Sequence, residues 1–533
     1  MKTSPIDALM HQAQTRPEST AFVFHEEVWT YQQLAAEADG LALGLVARGV
    51  KPGDRVALHM MNRPEMIVAY YACFKLGAVA SPLRTAFTFA ELAPMLQRLE
   101  PALYIGERDL YKNVAPVNAA ILAPDKRFTV NGGEDPGAQP WDALFDDAAD
   151  ANLPASPACY KPAVLINTSG TTGQPKFVIH TLDTLSEAVD LMATHWGISD
   201  DDIVIEPLPL AHSSGLFTFL TYIQSGVPFV LLESFDADGV LDAIERHRCT
   251  WCLGFPAQYA ALLERQRARP RDLASLRICF TGADMCPIDL QERSPSILGA
   301  PLYNIWGATE VVGSLTFGLQ HGPVVRIVKG AQVRLIDDNG ADVADGEIGE
   351  LLVRGANVFA GYWNDPQATE QSLKAGWYHT GDMMRRGEGD ELWFVSRKKD
   401  IIIRGGTNIS PAEVEQALVA AHPAVEQAAV VGIPDAVLGQ RVFGFVKLAS
   451  RMRDTIVAEI LRNVATRLAS YKVPERLGIL DELPRNALSK VDRNILQAMA
   501  AGTDKAGRPQ IGAAPSQAKQ PDERPARRVA RNR

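Results

Sequence analysis

Four short apolar runs, at residues 203–206, 229–232, 250–253 and 277–281, are each separated from the next by a segment long enough for a helix. This spacing constrains the fold more than any other feature of the chain. A strand buried on both faces is a continuous apolar run, and parallel strands need a connection of helical length. The same alternation runs from residue 5 to about residue 160. There, Thr30 and Gln33 make a capping-box pattern that opens a helix ending near Gly49, followed by a turn at 50–54 and a strand at 55–60. The pattern predicts an α/β fold of mostly parallel sheets covered by helices.

A chain of 533 residues exceeds one ordinary core, so at least two domains are expected. The character changes over 325–395, where short β-like runs alternate with turns such as Asp337-Asp338-Asn339-Gly340. That stretch predicts a small antiparallel β-barrel. A charged, turn-like segment at 396–400 marks a boundary. Beyond it, Ser410-Pro411-Ala412-Glu413 caps a new helix, and strands at 428–433 and 442–448 and a helix at 455–468 complete a small α/β domain. The expected division is a large domain at 1–396, a small one at 397–500 and a tail at 501–533.

The formal net charge of −10 argues against nucleic acid as a partner. From Ala501 on, 8 Lys and Arg face 3 Asp and Glu, a local +5, so the body carries −15. This tail lacks aromatic residues and is expected to be disordered. No run of about 20 apolar residues occurs, so no integral membrane segment is expected. The segment Met1-Lys2-Thr3-Ser4-Pro5 lacks the apolar core of a signal peptide. Cys249 and Cys252 have a redox or metal spacing, but they sit in an apolar strand-like run with no second pair. The expectation is a cytoplasmic protein, monomeric or homodimeric.

Between two apolar runs lies Thr168-Ser169-Gly170-Thr171-Thr172-Gly173-Gln174-Pro175-Lys176. Glycine lets backbone N–H groups approach anionic oxygens, hydroxyls add donors, and the lysine adds a point charge. The composition suits a loop around a polyphosphate, or a plain Gly/Ser/Thr hairpin turn. It is not the common mononucleotide loop, which needs four residues between its glycines and then Gly-Lys-Ser/Thr opening a helix.

This loop resembles the phosphate-binding signature of the adenylate-forming superfamily, which contains acyl- and aryl-CoA ligases, peptide-synthetase adenylation domains and luciferase. Four further segments follow in the superfamily's order. Tyr303-Asn304-Ile305-Trp306-Gly307-Ala308-Thr309-Glu310 resembles its aromatic-Gly-x-Thr-Glu motif, and Gly376-Trp377-Tyr378-His379-Thr380-Gly381-Asp382 its aspartate motif. Ser396-Arg397-Lys398-Lys399-Asp400 with the glycine turn Gly405-Gly406 resembles its hinge region, and Pro484-Arg485-Asn486-Ala487-Leu488-Ser489-Lys490 its C-terminal lysine motif. The similarity spans roughly residues 5 to 500.

The resemblance implies an ATP- and Mg2+-dependent acid–CoA ligase, with coenzyme A as co-substrate. Thr168, Ser169, Gly170, Thr171, Thr172, Gly173 and Lys176 would grip the phosphates. Thr309 would hold the α-phosphate and Glu310 the magnesium ion. Gly282, Ala283 and Asp284 would lie on the adenine side, with Asn304, Trp306 and Gly307 in the aromatic motif. Trp306 stands where Tyr or Phe is more usual. Asp382 would take the ribose hydroxyls, with Arg397 beside it. Lys399 matches the hinge, and Gly405 and Gly406 would face the incoming thiol. Lys490 would bridge the acid's carboxylate and the α-phosphate. Ser489 precedes it where the family usually has Gly.

His212, in Pro207-Leu208-Pro209-Leu210-Ala211-His212, matches the carboxylate end of the family's acyl pocket. No Asp in this segment is placed to hold an amino group. Phe217, Phe219, Phe255, Ile305, Val311 and Val312 are expected to form an apolar wall, with no basic residue nearby for a second carboxylate. This combination points to an apolar monocarboxylic acid, aryl or medium-chain alkyl. An enzyme loading a carrier-protein thiol or releasing free acyl-AMP, and a catalytically silent binding subunit, are the alternatives.

Overall fold

The computed structural model describes residues 3–132, 137–146, 152–153, 158–168, 176–283, 286–404, 407–435, 438–449, 455–485 and 490–502. Two compact units divide at Lys399/Asp400. Arg397 falls in the first unit rather than opening the second, because it ends the strand Glu391–Arg397, in register with Asp382.

In the first unit the four apolar runs are strands Val204–Glu206, Phe229–Leu231, Trp251–Gly254 and Ile278–Thr281. They are parallel neighbours in a seven-stranded sheet completed by Leu302–Asn304 at one edge and by Thr20–Phe24 and Glu27–Thr30 at the other. A second seven-stranded sheet has the order Gln139–Pro140, Arg127–Val130, Leu103–Glu107, Arg55–His59, Val79–Pro82, Pro162–Thr168, Lys176–Thr181. It is parallel up to its last pair, which is antiparallel.

Period-2 alternation decides which core each strand residue enters. Val204, Phe229, Trp251 and Phe280 join a central cluster, while Ile205, Val230, Cys252 and Cys279 join an outer one. In the second sheet Val56, Leu58 and Ile105 face the central cluster, and Ala57 and Tyr104 face the opposite side. The central cluster is filled by helices Tyr31–Ala47, Pro64–Leu76, Leu182–His195 and Ser213–Ser225. Pro64–Leu76 shows no amphipathic stripe for that reason: all of it but Glu65 is buried. The Thr30/Gln33 capping box is present, at 3.2 and 2.9 Å. Burial pushes the thiols of Cys249 and Cys252 up to about 12. No helix among the described residues is long and apolar enough to cross a membrane.

The antiparallel β structure expected over 325–395 is a curled sheet that starts earlier, at Leu315. Its order is Leu315–Phe317, Val324–Ile327, Glu391–Arg397, Trp377–Arg386, Ile348–Arg354, Gln332–Ile336, with Leu373–Lys374 against Trp377–Arg386.

The second unit is built on strands Thr407–Ile409, Ile402–Arg404, Gly439–Leu448 and Val425–Asp435, with Arg476–Ile479 added in parallel to Gly439–Leu448. Val430, Val442 and Val446 face the helices Pro411–Ala421 and Thr455–Ala465, and Ala429, Val431, Phe443 and Phe445 face Arg493–Ala501. Ser410 caps its helix through the Glu413 amide at 3.4 Å, as its sequence pattern predicts.

Candidate active site

The phosphate-type loop leaves strand Pro162–Thr168 and returns in strand Lys176–Thr181, with Thr168 opposite Lys176. Ser169, Gly170, Thr171, Thr172 and Gly173 lie outside the described residues, as do Asp284, Gly405 and Gly406. The strand that follows the loop carries His180, which is buried and which burial drives down to about 4, so it is neutral at pH 7. His180 Nε2 lies 2.7 Å from the Thr309 carbonyl. A carbonyl only accepts, so the ring proton sits on Nε2, and Nδ1 faces the Thr184 hydroxyl at 3.2 Å.

Ala308 and Val311 exchange both backbone hydrogen bonds, at 2.9 and 3.0 Å, and close a two-residue turn with Thr309 and Glu310 at its tip. The Thr309 hydroxyl is 3.3 Å from Ser213 Oγ. The Glu310 carbonyl accepts from the Phe359 amide at 2.8 Å, and its Oε1 accepts from the Tyr362 phenol at 2.8 Å. The loop's returning strand therefore holds the Thr-Glu turn through His180.

Asp382 is 1% exposed. Arg397 Nε lies 2.7 Å from its Oδ1, and the Trp306 indole N–H donates to its Oδ2 at 2.7 Å. The structure thus brings Trp306, Asp382 and Arg397 into one cluster. Gly282 follows the neighbouring strand Ile278–Thr281, and a Cβ there would stand 3.0 Å from the Ile305 side chain and 3.1 Å from its carbonyl. Ala283 follows with φ +67°, a sharp turn. Asn304 is buried and gives its amide to the Gly322 carbonyl, which braces the strand that leads into Trp306. Gly307 is exposed beside it.

His212 caps helix Ser213–Ser225, with Nδ1 accepting from the Ser214 amide at 3.2 Å and lying 2.8 Å from its hydroxyl. Its ring stands edge-on to Phe255 at 6.3 Å. The expected apolar wall is narrower than its sequence suggests. Phe217 packs on His180 and Phe219 on Tyr70 and Tyr71, and both, like Val311, are fully buried. Phe255, Ile305 and Val312 are half-buried and keep surface for a ligand. Lys399 is exposed at the end of the first unit. Lys490 belongs to the second unit and is half-buried beside the β-bridge between Arg485 and Val491.

Sequence reasoning missed His180 and Tyr362. Each acts on a partner 129 or 52 residues away, so no local pattern marks it. Among the described residues no cluster of three or more His, Cys, Asp or Glu could hold a metal. Glu310 fits magnesium nonetheless. This ion is bound through one or two protein carboxylates, with phosphate and water oxygens completing its shell.

The chain belongs to the AMP-binding enzyme family: the family's profile matches residues 9–363, and that of the AMP-binding enzyme C-terminal domain matches residues 413–490. An indoleacetate–CoA ligase of Aromatoleum aromaticum is 35% identical, covering 91% of this chain and 96% of the relative. A medium-chain fatty-acid–CoA ligase of Escherichia coli is 30% identical, covering 92% and 89%. The o-succinylbenzoate CoA synthetase of Bacillus subtilis, solved in complex with ATP and magnesium ion, is 30% identical with a TM-score of 0.79, covering 92% and 99%.

Proposed function

We propose that the protein is an ATP-dependent, AMP-forming carboxylic acid–CoA ligase acting on an apolar monocarboxylic acid, aryl or medium-chain. The observation that carries this reading is the His180–Thr309 hydrogen bond, which joins the strand leaving the phosphate loop to the Thr-Glu turn. In the first half-reaction a carboxylate oxygen of the acid attacks the α-phosphorus, and the bond to the β-phosphate breaks with release of pyrophosphate. In the second, the CoA sulfur attacks the acyl carbon, and the carbon–oxygen bond to AMP breaks.

Lys176 and the hydroxyls of the loop bind the leaving phosphates, and Thr309 orients the α-phosphate. Glu310 would hold magnesium, which would supply neutralisation of phosphate charge. Asp382, an acceptor-only carboxylate, takes the ribose hydroxyls, and the Trp306 face carries the adenine. Lys490 stabilises the charge that develops between carboxylate and α-phosphate. His212 faces the carboxylate end of the acid.

The absence of Lys and Arg from segments 207–217 and 303–312, where a second carboxylate would need a partner, supports an apolar monocarboxylic acid. The relatives' names span both kinds of acid: indoleacetate and medium-chain fatty acids carry one carboxylate and 2-succinylbenzoate carries two. The relatives named above are CoA ligases, which favours CoA over a carrier-protein thiol. The test is pyrophosphate release from a panel of aliphatic and aromatic acids, with and without CoA. CoA-dependent thioester formation is expected. Pyrophosphate without thioester would point to another thiol acceptor, and silence with every acid would sink the nucleotide chemistry.

A further inference from the structure

We infer that Tyr362 is a positioning residue for the cation site, a spacer that holds Glu310 and Lys176 apart in a fixed relation. The inference rests on the reading of Glu310 as the magnesium ligand. Tyr362 is buried, and its phenol donates to Glu310 Oε1 at 2.8 Å. The Lys176 ammonium sits 4.8 Å from the centre of the same ring. One side chain therefore touches both charged groups, through its hydroxyl on one and its π-face on the other.

The backbone fixes this side chain from three directions. Ala360 N donates to the Ile179 carbonyl, Ile179 N to the Gly361 carbonyl and Trp363 N to the Phe177 carbonyl, each at 2.9 Å. Residues 360–363 are thereby laced to the strand that begins at Lys176. Immediately before them, the Phe359 amide donates to the Glu310 carbonyl at 2.8 Å. Gly361 takes φ +129°, where a Cβ would stand 2.9 Å from Thr369, and the Thr369 hydroxyl accepts from the Tyr362 amide at 2.9 Å.

Without the phenol O–H, Glu310 Oε1 loses the donor that fixes it, while the ring beside Lys176 can remain in place. With the phenol on Oε1, the carboxylate plane is set and Oε2 is directed away from the bond. Hydrogen bonds that orient a metal ligand act on cation affinity rather than on nucleotide affinity as such.

The experiment is calorimetric titration of ATP into the full-length protein, in excess Mg2+ and in EDTA. It is applied to wild type, Tyr362→Phe, Glu310→Gln and the double variant. Tyr362→Phe keeps the ring and the lysine contact. Its ratio of ATP affinity with and without Mg2+ is expected to fall by about 10- to 100-fold. In the Glu310→Gln background the same change should add nothing to that ratio. An unchanged ratio in Tyr362→Phe, or full additivity in the double variant, overturns the inference and leaves Glu310 as the ligand. A wild-type protein whose ATP binding ignores Mg2+ overturns the cation-site reading itself, and the inference with it.

Discussion

The indole N–H of Trp306 donates to Asp382 Oδ2 at 2.7 Å, while Arg397 Nε lies 2.7 Å from Oδ1. The carboxylate read as the ribose acceptor is thus already held on both oxygens in the chain by itself. A phenylalanine or tyrosine at position 306 has no ring N–H for this bond. Trp306→Phe takes a donor from a buried charged acceptor, at a cost of about 1–3 kcal/mol. The expected result is a lower melting temperature without nucleotide, largely restored by ATP but not by 2′,3′-dideoxy-ATP, which lacks the hydroxyl donors. Equal restoration by both nucleotides would remove Asp382 from ribose binding.

His180→Leu leaves the Thr309 carbonyl without its imidazole donor. We expect kcat/KM for ATP to fall about 10- to 100-fold, as for loss of a group that orients a first contact. The KM for the acid should move little. Steady-state kinetics with each substrate varied in turn would decide this, and a loss shared equally by both substrates would assign His180 to general stability.

Buried groups of opposite type give the pH dependence two signs. Burial drives His59 and His180 each down to about 4 from an ordinary 6.5. Their contribution is complete above 6.5 and is lost as pH falls toward 4, on the order of 3 kcal/mol each. Glu206 runs the other way, since burial raises it to about 8 from 4.5, against the Thr218 hydroxyl and the Leu208 amide. Its contribution is complete below 4.5 and is lost as pH rises toward 8. Glu206→Gln should therefore gain stability relative to wild type between pH 6 and pH 9. Denaturant midpoints that keep a constant gap over that range would contradict this.

Lys490→Ala should abolish pyrophosphate release from acid and ATP while largely sparing thioester formation from supplied acyl-AMP and CoA. Collapse of both half-reactions together would assign the lysine a different role.

The Thr-Glu turn and the loop ends were legible because glycines, hydroxyls and charges in a fixed order announce themselves locally. The pocket wall was less legible. Phe217 and Phe219 are as apolar in sequence as Phe255, but a helix turns the first two into the central core, while the third stands half-buried at the start of helix Pro256–Ala268. The partner of Asn304 was likewise not legible, since its amide donates to the Gly322 carbonyl 18 residues away.

The order of apolar runs and caps determined the elements, the parallel sheets and the family's motifs, because hydrophobic periodicity and capping act within a few residues. Tertiary structure alone decided that His180 holds Thr309, that Tyr362 stands between Lys176 and Glu310, and that Trp306 occupies Asp382. Each is a hydrogen bond or ring contact between segments brought together by burial, and a polar group's partner across such a distance is chosen by the packing of the core.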